Sequence, residues 1–271
     1  MRILFIGDIF GTLGKRILAE RLSSLRTELR VDVCIVNGEN AAGGHGITHR
    51  IVNKLKRHGA DIITGGNHSF ANQEGIKDLK EDPLVLRPHN YPDGNVGTGV
   101  ALYTLPDART VGVISLQGRT YAPEQLLCPF RTADAAVSQL SASTRVIFVD
   151  FHAEATSEKK ALFFYLDGRI SALVGTHTHV QTADEIISAQ GTAYISDAGM
   201  TGPEGSCIGM KQESVIRKFL LQTPVRFEPS VSGPMLNGVF IEVDDETGKA
   251  TQIRRIYERI ALGASSADEK E

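Results

Sequence analysis

The 271-residue sequence contains no tryptophan and only three cysteines, Cys34, Cys128 and Cys207. They are odd in number and no two share a Cys-x-x-Cys spacing. A disulfide framework and a thiolate zinc site are therefore not expected, and a reducing compartment fits. Long apolar runs are also missing, with no stretch approaching the ~18 residues that span a bilayer. Asp8 breaks the apolar start after a few residues and no small-residue cleavage site follows, so a signal peptide is not expected. These absences predict a cytoplasmic protein that does not engage a membrane. Nor does one sign of charge dominate. A net charge of −3 offers no clustered positive field for a nucleic-acid duplex. The short basic run Lys54-Leu55-Lys56-Arg57 falls in a helical pattern and reads as a solvated face. Missing too are the Walker spacing after Gly7, a dinucleotide glycine fingerprint and a Gly-x-Ser-x-Gly elbow.

What is present suits a globular chain: 41% hydrophobic and 23% charged residues give enough apolar material for a large core. The first half repeats one unit, an apolar run, a glycine or polar turn, then a helical pattern. Ile3–Ile6 ends at Gly7-Asp8. Leu13, Ile17, Leu18, Leu22, Leu25 and Leu29 then recur at helical spacing, with Thr12 available as N-cap. Val33–Val36 ends at Gly38-Glu39-Asn40, a short helix pattern covers Ile51–Leu55, and Ile62–Thr64 ends at Gly65-Gly66-Asn67-His68. Residues 83–129 hold prolines, glycines and two short strands, Gly99–Leu105 and Thr110–Leu116, which read as a loop-rich insertion or an antiparallel part of the sheet. Val146–Val149 then ends at Asp150-Phe151-His152, and Ala172–Val174 at Gly175-Thr176-His177-Thr178-His179. A hairpin is expected around Asp245-Glu246-Thr247-Gly248. The alternation predicts an α/β fold over residues 1–262, followed by a disordered polar tail at 263–271.

Five strand ends thus deliver Asp8, Glu39 with Asn40, Asn67 with His68, His152, and His177 with His179. Parallel strands would gather these side chains at the carboxyl edge of the sheet. Singly, Asp8 also reads as a helix cap, Asn67 as a turn residue and His152 as a partly exposed or hydrogen-bonded histidine; the convergence selects a metal site. Carboxylate, carboxamide and imidazole donors without thiolate suit borderline divalent metals. Seven ligands exceed one tetrahedral ion and match two ions sharing a carboxylate, an arrangement that clamps a phosphoryl group and activates water.

Gly7-Asp8, Gly66-Asn67-His68 and Gly175–His179 resemble the calcineurin-like metallophosphoesterase superfamily. Asp150–Lys159, Gly175–Glu185, Ser196–Pro203 and Pro224–Glu228 resemble its YmdB-like branch, and the likeness covers nearly the whole chain. The resemblance implies a four-layer α/β/β/α sandwich with two mixed sheets around two iron or manganese ions. It implies hydrolysis of nucleoside 2′,3′-cyclic phosphates to 3′-monophosphates by metal-hydroxide attack. Glu39 would bridge the ions; Asp8, Asn40 and His179 would complete one site, and Asn67, His152 and His177 the other. His68 would protonate the leaving oxygen. The sequence departs from the superfamily at Phe10, where a histidine is usual, at Gly38-Glu39-Asn40, where Gly-Asp-x-x-Asp is usual, and from the branch at Ser69-Phe70-Ala71, where Thr-Trp-Asp is expected. Rival readings are a phosphomonoesterase or nuclease on the same site, and a metal- and nucleotide-binding regulatory protein with little turnover. Homo-oligomerisation is left open.

Overall fold

A computed structural model describes residues 1–262; the tail expected at 263–271 lies outside the described residues. In chain order the elements are β1 (Arg2–Ile6), β2 (Asp8–Ile9), α1 (Gly11–Leu29), β3 (Val33–Asn37), α2 (His49–Arg57), β4 (Ile62–Thr64) and α3 (Gln73–Glu81). Then come β5 (Val100–Thr104), β6 (Thr110–Gln117), α4 (Pro129–Ser141), β7 (Ile147–His152), α5 (Thr156–Leu166) and β8 (Ala172–Thr176). The last are β9 (Ile186–Ile187), β10 (Ala193–Ile195), β11 (Met200–Pro203), α6 (Gln212–Leu221), β12 (Pro234–Val243) and β13 (Ala250–Arg259).

The strands form two mixed sheets. One runs β2-β11-β12-β1-β3-β4 with β13 beside β12, and the other runs β5-β6-β7-β8-β10-β9. Residues of a strand alternate between faces, and here both faces are apolar. Ile3 and Phe5 of β1 turn inward with Val33, Ile35, Val113, Phe148, Val174 and Val239 to form a core between the sheets. Leu4 and Ile6 turn outward onto Leu13, Ile17, Leu18 and Leu22 of α1 and onto Ile51 and Leu55 of α2. On the far side, Ile114, Val149 and Leu173 pack against Ala133 and Val137 of α4 and Leu162 and Phe163 of α5. Helices therefore cover the outer face of each sheet, giving the four-layer α/β/β/α order. The Phe5 and Phe148 rings meet across the inner core at 5.3 Å.

Some local expectations change and others hold. The first helix begins at Gly11, with Phe10 at the cap position and no side-chain cap, so Thr12 is not the N-cap and lies within the first turn. The short α2 has such a cap: Thr48 accepts from Ile51 N. The segment Gly99–Leu116 is an antiparallel hairpin, β5 on β6, at the edge of the second sheet. The β12–β13 hairpin is present and longer than its sequence signal. The ligand-bearing strands belong to two sheets, as the resemblance implies, so the single sheet edge read from the strand ends is replaced by two carboxyl edges that face each other. Among the described residues no helix is long and apolar enough to cross a membrane.

Candidate metal centre

The first sheet supplies Asp8 from β2, Glu39 and Asn40 just after β3, and Asn67 and His68 just after β4. The second supplies His152 as the last residue of β7 and His177 and His179 just after β8. All eight converge. Glu39, which is 2% exposed, lies at the centre. Its Oε1 is 3.3 Å from His152 Nε2 and 3.3 Å from His68 Nδ1, and its Oε2 accepts from His68 N at 3.1 Å. Gly66 makes this approach feasible, because a Cβ there would fall 2.2 Å from Glu39 Oε2 and 2.5 Å from His152 Nε2.

The remaining side chains divide around Glu39. On one side, His152 Nε2 lies 2.9 Å from Asn67 Oδ1 and 3.0 Å from His177 Nδ1. On the other, His179 Nε2 lies 3.3 Å from Asp8 Oδ2 and 3.1 Å from Asn40 Nδ2. The ligand atoms of Asp8, Glu39 and His152 all fall within 4.8 Å of one another.

Second partners fix which nitrogen each histidine turns inward. Thr176 donates its hydroxyl proton to Asp150 Oδ1 at 2.7 Å, so it can only accept from His152 Nδ1, 3.0 Å away. That leaves Nε2 as the inward atom of His152. His179 Nδ1 donates to the Ile208 carbonyl at 2.9 Å, which likewise frees its Nε2. His177 Nε2 faces Glu154 Oε2 at 3.2 Å, which frees its Nδ1. An imidazole oriented by an outward hydrogen bond is the usual arrangement of a metal ligand. Asp150 is itself fully buried; burial pushes its pKa up to about 6, against hydrogen bonds from Thr64 and Thr176.

The electrostatics call for added positive charge. Burial disfavours a charged His152, yet the Glu39 and Asp8 carboxylates outweigh it and raise its pKa to about 9. Burial opposes ionisation of Glu39 as well, but His152 and His68 hold it well below the ordinary carboxylate range. Asp8 is completely buried; its Oδ2 accepts from His177 N at 3.1 Å, while Oδ1 has no hydrogen-bond partner among the described residues. A buried carboxylate oxygen without a donor, beside inward-turned imidazole nitrogens, fits divalent metal ligation.

Asn40 departs from a simple ligand picture. It turns Nδ2 towards Glu39 Oε1 at 2.8 Å and towards His179, while its Oδ1 faces His68 Nδ1 at 2.8 Å. A carboxamide ligates through oxygen, so a ligand role requires the amide to turn over, with Nδ2 then donating to His68 Nδ1. His68 is partly exposed, and His45 lies against it with ring centroids 4.1 Å apart. Burial and the neighbouring His68 push the His45 pKa down. Phe10, one of the departures noted in the sequence, meets the His179 ring edge-on at 5.8 Å.

Backbone strain is also present in the loop that carries His177 and His179. His177 and His179 have φ values of 100° and 64°, in the left-handed region that residues with a Cβ adopt only at a cost. The loop is tethered by a buried ion pair, Lys159 Nζ to Asp197 Oδ2 at 2.8 Å. The same carboxylate oxygen accepts from Thr178 N at 3.0 Å and Thr178 Oγ1 at 2.9 Å. The sequence reading did not single out Asp150, Thr176, Lys159 or Asp197. A signal existed for Asp150, since its spacing of two from His152 on a strand places both on one face.

Comparison with known proteins identifies the family and the fold. Residues 4–256 match the YmdB-like protein family. A Bacillus subtilis (strain 168) protein named 2′,3′-cyclic-nucleotide 2′-phosphodiesterase is 47% identical over 256 residues, covering 94% of this chain and 96% of its own. Among solved structures, a novel phosphatase from Mycoplasma pneumoniae superposes with a TM-score of 0.90 at 34% identity, covering 96% of this chain and 93% of its own. A hypothetical protein from Thermus thermophilus gives 0.89 at 36% identity, over 96% and 99%. The chain belongs to the YmdB-like protein family.

Proposed function

We propose that the chain is a metal-dependent phosphodiesterase that opens nucleoside 2′,3′-cyclic phosphates to 3′-monophosphates. The observation that carries this reading is the split constellation around Glu39, in which inward imidazole nitrogens and the unpartnered Asp8 oxygen flank one buried carboxylate. Its similarity to the Bacillus subtilis phosphodiesterase supports the substrate class. Asn67, His152 and His177 would hold one ion, Asp8, Asn40 and His179 the other, with Glu39 between them and iron or manganese as the metals. When bound, such a pair supplies charge neutralisation at the phosphoryl oxygens and lowers the pKa of an attacking water.

The chain's own residues do the rest. His152 and His179 are held by Thr176 and the Ile208 carbonyl, so neither ring must reorient during turnover. His68 is assigned the proton delivered to the departing ribose oxygen. His68 turns Nδ1 towards Asn40 Oδ1 and Glu39 Oε1, which leaves Nε2 as the ring nitrogen that would carry the delivered proton. General-acid delivery matters here because an alkoxide is a poor leaving group. The test is steady-state hydrolysis of 2′,3′-cyclic AMP by metal-quantified protein, with products separated by chromatography. Turnover to 3′-AMP with two ions per chain is expected. Absence of turnover after reconstitution with iron or manganese would overturn the assignment, and hydrolysis of monoesters alone would make the chain a phosphomonoesterase.

A further inference from the structure

A recess adjoins the metal centre. Asn67, His152 and His177 form its inner wall, and the segment 117–124 after β6 forms its outer wall. Gln117 ends β6 and pairs directly with His152 at the end of β7. Paired residues of neighbouring strands project to the same face, so Gln117 stands beside a candidate ligand. It is only 3% exposed. Its Nε2 donates to Glu124 Oε2 at 3.0 Å, whereas its Oε1 is buried and meets no donor among the described residues. Turning the amide over would set Oε1 against the Glu124 carboxylate, so Glu124 locks the acceptor in place. A buried acceptor without a partner is costly, and here it belongs to a residue that lines the recess.

The rim carries Tyr121, which is 84% exposed and held at φ 64°. This strained residue sits on a braced loop. Asn90 donates to the Gln117 carbonyl at 2.8 Å and the Leu127 carbonyl at 3.1 Å, pinning both ends. Glu158 accepts from Arg119 N and Thr120 N. Gly118 fits where a Cβ would lie 2.6 Å from Ala153 Cβ and 2.6 Å from Glu158 Oε2.

We infer that this recess is a nucleoside subsite, in which Tyr121 stacks on the base and Gln117 Oε1 accepts a hydrogen bond from an exocyclic amine. The inference rests on the cyclic-nucleotide reading and adds base selectivity to it. Cytosine carries an amine where uracil carries a carbonyl, so the locked acceptor favours cytidine over uridine.

The test compares cytidine and uridine 2′,3′-cyclic phosphates and base-free ribose 2′,3′-cyclic phosphate by kcat/KM. Calorimetric binding of cytidine and uridine 3′-monophosphates runs in parallel and needs no turnover. Cytidine should exceed uridine by roughly 2- to 12-fold, the range of one neutral hydrogen bond. Gln117→Met should remove that preference. Tyr121→Ala should shrink the advantage of the cytidine nucleotide over the base-free compound by roughly 5- to 150-fold, whereas Tyr121→Phe should retain it. If no cyclic phosphate is hydrolysed, the proposed function fails and the calorimetry still decides the subsite. An unchanged nucleotide-to-sugar ratio in Tyr121→Ala, or equal cytidine and uridine affinity in the unmodified protein, would overturn the inference.

Discussion

Replacing Lys159 with methionine tests how the histidine loop is held. Lys159 and Asp197 are 1% exposed each and form an ion pair at 2.8 Å. Methionine is close to lysine in volume, so the cavity contribution is small, and the main effect is a carboxylate left buried without its counter-charge. Removing one partner of a buried pair costs about 3–5 kcal/mol. At about 2–4 °C per kcal/mol for chains near this size, the melting temperature should fall by roughly 10 °C. Lys159→Met/Asp197→Asn removes the stranded charge while keeping an acceptor oxygen for Thr178, and should recover part of the loss. Because Asp197 also binds Thr178 between two candidate ligands, metal affinity should fall by roughly 10–100-fold in the single variant. Calorimetric unfolding of metal-free samples, with metal titrations on the same preparations, measures both effects. A loss below about 1 kcal/mol, or a double variant no more stable than Lys159→Met, would refute the reasoning.

Other expectations follow from the site. Glu39→Gln should lower occupancy of both ions, measured by elemental analysis; selective loss of one would move the bridging role elsewhere. His68→Ala should keep both ions yet slow 2′,3′-cyclic AMP hydrolysis by roughly 10²–10⁴-fold. Its effect should be smaller on a p-nitrophenyl diester, and equal losses in the two assays would remove the general-acid role. Burial raises the Asp184 pKa, but hydrogen bonds from Ser196 and Thr182 outweigh it and hold the folded value below the ordinary range. Its stabilising contribution is therefore present above the unfolded value near ~3.9 and lost as pH falls through the folded pKa. Urea midpoints should drop less between pH 7 and pH 3 in Asp184→Asn than in the unmodified chain.

The candidate site was legible in the sequence because each residue lies at or just after the end of a recognisable apolar run. What pattern could not supply was the partition of those strands between two sheets, which depends on long-range pairing such as β1 with β12. The outer helices were also harder to read. In α5, Leu162, Phe163 and Leu166 are buried while Phe164 and Tyr165 are exposed, so the apolar face is blurred by aromatic neighbours. Helix α6 has no buried residue, which leaves little periodic signal. Asn40 is a finer case. Its position is evident from Gly38-Glu39-Asn40, but the direction of its amide depends on His68 and His179, distant in sequence.

The left-handed conformations of His177 and His179 set their proposed ligand role against folding fitness. A glycine relieves the clash of Cβ with the backbone at such φ values, a gain on the order of 1 kcal/mol at each position, but it contributes no ligand nitrogen. A library of variants sorted only for heat tolerance in the presence of chelator should therefore accumulate glycine at 177 and 179. The same library sorted for growth on metal-dependent turnover should expel it. The two selections would disagree at these positions and agree through most of the apolar core, where shape and stability make the same demand.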